Sequence, residues 1–161
     1  MKKLGFTLFA LVLMAMLPAL GMGAEKTHAH HAYKTHLSGS AVVPKVKTTA
    51  KGMATFEAEM GGKELKYKLT VKDIENVTAA HIHIAKKGKN GPPVAGLFAG
   101  PKKEGKFSGA LGEGTITDKD LVGPMAGKTV EDLIKALRSG ELYVNVHTDK
   151  YPDGELRGQI K

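Results

Sequence analysis

The chain has 161 residues, 42% hydrophobic and 25% charged, with 20 Gly, 7 Pro and a formal net charge of +8. That is the composition of a globular domain, and it excludes collagen-like and intrinsically disordered chains. Cys and Trp are both absent. Disulfide scaffolds, thiolate zinc sites, iron–sulfur ligation and thiol catalysis are therefore out, and His, carboxylates, amides and hydroxyls must carry any chemistry.

In chain order, Lys2 and Lys3 precede an apolar run at 4–17 and small residues at Gly21, Gly23 and Ala24, the three-part layout of a secretory signal. A membrane helix would need about 20 apolar residues, and Pro18 cuts this run short. Residues 1–24 read as a signal peptide, which makes the mature chain secreted or periplasmic with no membrane span after cleavage. What remains suffices for one domain burying roughly two-thirds of its unfolded surface. Its lysines, among them Lys45, Lys86, Lys87, Lys102 and Lys106, are scattered rather than blocked; they imply a solvated basic face and no nucleic-acid partner.

Residues 25–35 lack apolar periodicity and hold His28, His30 and His31, so a flexible lead-in is expected before a domain at 36–161. At 52–60 the pattern alternates, with Ala54, Phe56, Ala58 and Met60 on one face. Gly61 and Gly62 then permit a reversal, because glycine enters positive φ without a Cβ clash. The returning strand puts Leu65, Tyr67, Leu69 and Val71 on one side and lysines on the other. A third strand is expected at 77–84, then a turn-rich loop at 86–93 and short strands at 94–98, 106–111 and 112–116. Thr117 and Thr129 look like helix caps. After Thr129, Val130, Leu133, Ile134 and Leu137 fall at helical spacing and Gly140 stops the helix. Strands at 142–148 and 155–160 close the chain. Eight or so short strands with one or two short helices in a late connection predict an all-β fold, a β-sandwich or barrel.

The histidines follow strand parity. His81 and His83 share one side of their strand, with Ile82 and Ile84 on the other. The late strand repeats this, with Tyr143, Asn145 and His147 opposite Leu142, Val144 and Val146, and the last strand puts Glu155, Arg157 and Gln159 on its polar side. If these strands are neighbours, the polar residues form one cluster. An H-x-H pair plus a third imidazole is a set suited to Cu(II), Zn or Ni, and its affinity is expected to fall as pH drops through roughly 6.5. The other reading of the same residues is a hydrogen-bonded polar patch under a loop, with Arg157 paired to Glu155.

Three segments, LSGSAVVPKVKTTAKG at 37–52, AHIHIAKKGKNGPPV at 80–94 and YVNVHTDKYPDGELRGQI at 143–160, resemble the chordin-type CHRD domain family over nearly all of the mature chain. The resemblance implies an exported immunoglobulin-like β-sandwich or barrel and no defined activity. The family usually has Glu-Val-Pro-Pro where this chain reads Val42-Val43-Pro44-Lys45. The H-x-H strand with a late His is also similar to the copper side of copper–zinc superoxide dismutases, an analogy of sites that does not establish function. Dismutase zinc ligands are missing, since the loop at 86–93 holds no His, Asp, Glu or Cys.

No G-x-S-x-G, H-E-x-x-H or phosphate-cradling glycine loop occurs, so an enzyme is not expected. The function expected is an exported binding protein that holds a divalent metal, copper before zinc, through His81, His83 and His147. His36 or water would complete the set, and Tyr143, Asn145, Glu155 and Arg157 would surround the imidazoles. The alternative is a metal-free extracellular or envelope module that binds another protein.

Overall fold

The computed structural model describes residues 31–59 and 61–161. The expected signal peptide at 1–24, residues 25–30 with His28 and His30, and Met60 lie outside the described residues. Within them, β1 (His31–Ser38), β2 (Lys51–Ala58), β3 (Leu65–Ile84), β4 (Pro93–Phe98) and β5 (Lys103–Ile116) precede α1 (Val130–Arg138), which β6 (Leu142–Thr148) and β7 (Leu156–Gln159) follow. No helix among the described residues is long and apolar enough to cross a membrane.

The all-β expectation holds, and the strands close on themselves. β3 pairs with β2, β2 with β1, β1 with β7, β7 with β6, and β6 returns to β3. The result is a closed barrel, with β4 and β5 added alongside β3. Closure removes the edges that an open sheet would expose. Phe56, Leu37, Leu65, Leu69, Ile82, Leu142 and Leu156 are almost fully buried in the interior. The hairpin of β2 and β3 is the one the alternating pattern predicts, with Ala54 opposite Leu69 and Phe56 opposite Tyr67.

Three segments differ from the sequence reading, the simplest being β5, one strand over Lys103–Ile116 where separate strands at 106–111 and 112–116 are expected. The expected lead-in does not extend to residue 35, because His31–Ser38 is a strand paired with β2 along its whole length. Thr35 and Leu37 are buried, Tyr33 is half-buried, and Ala32, Lys34 and His36 alternate outward. The inward set is too polar to register as an apolar period.

The strands expected at 65–71 and 77–84 are two halves of β3. Asp73 and Asn76 take φ of 54° and 52°, a left-handed conformation that Asp and Asn tolerate better than other non-glycine residues. The register with β5 shifts at both places. Ser108 Oγ accepts from Asp73 N at 2.9 Å and Asn76 Oδ1 accepts from Gly105 N at 2.8 Å, so the bulged residues stay tied to β5. The kinks keep Val71, Ile74, Val77 and Ala80 inward at three-residue steps.

α1 begins at Thr129, whose hydroxyl accepts from Asp132 N while Asp132 accepts from Thr129 N, a reciprocal capping box. Its Val130, Leu133, Ile134 and Leu137 join the main core.

Phe56→Ala should cost about 3–5 kcal/mol of unfolding free energy in urea titrations. Met53→Ala, on the outer face of the same strand, should stay within about 0.5 kcal/mol of the parent.

Candidate metal centre

Beyond Asn76, β3 runs antiparallel to β6, with Ala79 opposite His147, His81 opposite Asn145 and His83 opposite Tyr143. Ala80, Ile82, Val144 and Val146 fill the barrel interior. The alternate residues therefore face outward, and three imidazoles meet on adjacent strands. Their ring centroids lie 5.2–5.8 Å apart. One ligand nitrogen from each ring falls within 4.8 Å of the other two.

The hydrogen bonds decide which nitrogens are free. His83 Nδ1 lies 2.8 Å from Gly91 O, and His147 Nδ1 lies 2.8 Å from Pro152 O. A carbonyl oxygen only accepts, so both Nδ1 atoms carry the proton and both Nε2 atoms keep a lone pair. His147 Nε2 is 3.3 Å from His81 Nδ1, so His81 Nδ1 donates to it in the metal-free protein. Two imidazole nitrogens bound tetrahedrally to one zinc at about 2.0–2.1 Å would lie about 3.3–3.4 Å apart. The observed His81–His147 spacing matches that value, so this pair could share an ion without moving apart. His83 Nε2 is buried and has no hydrogen-bond partner among the described residues.

Burial lowers the pKa of His81 from its ordinary value to about 4, with smaller contributions from His147 and His83. Burial also lowers that of His83, against a raising effect of its bond to Gly91 O. Neutral imidazoles are the form that binds metal. Acid should compete through His81 only as pH approaches 4, lower than the 6.5 expected from sequence.

The surrounding residues divide. Tyr143 stacks on His83, centroids 5.1 Å apart, and Arg157 Cζ sits 3.6 Å from the Tyr143 ring centre. Tyr143 Oη donates to Gly91 O and accepts from Gly91 N, which fixes the carbonyl that orients His83. Arg157 donates to Asn90 Oδ1 and Lys89 O and ties down the same loop. Asn145 donates from Nδ2 to Asp153 O, beside Pro152.

Three expectations need correction. Glu155 does not surround the imidazoles, because its carboxylate accepts from Thr48 Oγ1 at 2.6 Å and Thr148 Oγ1 at 2.8 Å. Arg157 does not pair with Glu155; no ion pair among the described residues includes it. His36 is exposed and outside the three-His group. Ser38 pairs with Arg157, so His36 is level with Gln159 and three strand spacings from His83, about 14 Å across the sheet. Its parity is right and its strand too far away.

The orienting carbonyls of Gly91 and Pro152 were not found from sequence. Backbone oxygens carry no residue signal, although G-P and P-D-G mark both segments as turns. A Cβ at position 91 would run into Ile84 O, so only glycine fits there.

The CHRD domain family model matches residues 33–160, which spans the barrel and all three histidines. The chain belongs to the CHRD domain family. No curated protein and no solved structure was found to match it. The CHRD match thus covers the site without assigning it a ligand.

Unfolding free energy of this CHRD domain should fall as pH drops from about 6.5 toward 4, because the unfolded chain binds protons that the folded histidines refuse. It should be insensitive to these groups above about 6.5. Urea titrations at pH 7 and pH 5 check this, and His81→Gln should flatten the difference between them.

Proposed function

We propose that this CHRD-domain protein is exported and captures one divalent metal ion, copper in preference to zinc, through His81 Nδ1, His83 Nε2 and His147 Nε2. The observation that carries the reading is His83 Nε2: a buried acceptor left unsatisfied costs on the order of 1–3 kcal/mol, and an ion there removes that cost. The tautomers of His83 and His147 are already set for ligation by backbone carbonyls, as outer-shell groups do in metal sites. His81 needs only to move its proton from Nδ1 to Nε2.

An all-nitrogen set with no thiolate favours Cu(II) over Zn(II) in the usual affinity order. The charged leader at Lys2 and Lys3 and the apolar run after it support export. Capture, rather than turnover, fits a site whose imidazoles are joined by no carboxylate among the described residues.

Calorimetric titration of the purified chain with Cu(II) should give one ion per chain. His83→Ala should weaken it more than about 100-fold, beyond the loss typical of an outer-shell partner. Replacing His28, His30, His31 and His36 together by Ala should leave that site in place while keeping β1 intact. Binding that survives His83→Ala but vanishes in the fourfold variant would refute the reading.

Gly91→Ala is expected to cost about 10–100-fold in the same titration by displacing the carbonyl that holds His83.

A further inference from the structure

All three imidazoles come from two adjacent strands on one face of the barrel. An ion held by them is therefore coordinated from one side. Among the described residues no fourth His or carboxylate joins the group, and His81 and His147 are only half-buried, so solvent reaches the ion past these two rings.

One further polar atom adjoins the site. Asn145 is directly opposite His81 in register, two residues before His147, and 5% exposed. Its Nδ2 is used by Asp153 O, but its Oδ1 is buried with no partner among the described residues. A buried amide oxygen with nothing to accept from is rare in folded proteins and points to a missing donor. His83 and His147 have their nitrogens committed to a carbonyl and the ion, and His81 Nε2 makes no hydrogen bond to Asn145 Oδ1, whereas a water on the ion can donate to it.

We propose that the ion bound by His81, His83 and His147 keeps a coordination position open to a small exchangeable ligand, and that Asn145 Oδ1 is the positioning group that accepts a hydrogen bond from the water resting there. The ligand class is a small anion or neutral donor that displaces this water. The inference rests on the three-His reading and goes beyond capture, because a site with an exchangeable position can present its ion to a second molecule.

The test uses the purified chain loaded with one equivalent of Cu(II), with sodium azide as the probe. Azide should produce a saturable azide-to-copper charge-transfer absorption and a matching change in the copper electron paramagnetic resonance spectrum, both absent in His83→Ala. Asn145→Ala, once loaded with Cu(II), should bind azide about fivefold more tightly, since the water that azide must displace has lost one hydrogen bond. Asn145→Ala also drops the bond to Asp153 O, so its folding is checked by thermal unfolding, and the azide titration of the unsubstituted chain stands without it.

One-to-one copper uptake that depends on His83 but shows no azide response overturns the open position and leaves the three-His reading standing. An azide response with unchanged azide affinity in folded Asn145→Ala overturns the role of Asn145. Failure of copper to bind through His83 at all overturns both.

Discussion

The pairing of the last residues of β3 with β6 is the constraint on which the rest of this molecule depends. Antiparallel register places His81 across from Asn145 and His83 across from Tyr143, and the period of two sends all four to the outer face together. A slip of one residue would exchange them with Ile82, Val144 and Val146, which are fully buried. The apolar interior therefore enforces the position of the histidines: the free energy that keeps Ile82 and Val144 inside holds the imidazoles side by side.

Holding them side by side has a cost, which the loops absorb. Burial and nearby charged groups disfavour the charged forms of His81 and His83, so these two rings favour the neutral form. The loop at 86–93 supplies a carbonyl to His83, and the turn before β7 supplies one to His147. Each satisfies one nitrogen; His147 Nε2 still accepts from His81 Nδ1, and His83 Nε2 is left bare among the described residues. A patch built only for stability would satisfy both, as buried polar groups generally are. A purely hydrogen-bonded patch does not account for the bare Nε2 of His83.

Much of the fold and the sidedness of the site were legible because both follow from alternation. Phe56 and Ala54 against Lys66 and Lys68, or Ile82 against His81 and His83, declare their faces in any neighbourhood. What alternation cannot give is which strands lie together. His36 has the same outward parity as His83, yet β7 and β6 intervene, so it stays outside the group. Glu155 and Arg157 sit on one side of one strand, two residues apart, and look like partners; the structure sends the first to two threonine hydroxyls and the second to a loop. The continuity of β3 was hidden for another reason. Asp73 and Asn76 are turn residues by habit, and here they form bulges inside a strand instead of ending it.

Arg157 shows how the site is kept rigid with no carboxylate ion-paired to it among the described residues. It is 3% exposed, and burial lowers the pKa of its guanidinium without approaching neutrality at physiological pH, since arginine stays protonated. A buried cation with no carboxylate partner would ordinarily be costly. Here the charge is spread over the Tyr143 ring face and two oxygen acceptors, Lys89 O and Asn90 Oδ1. The planar fork suits this arrangement, stacking with its face and donating with its edge. A lysine ammonium could reach one of these partners but could not stack and donate to both oxygens. Tyr143 in turn holds Gly91, and Gly91 holds His83. The chain of contacts from β7 to β3 thus converts a buried charge into the orientation of a single imidazole nitrogen.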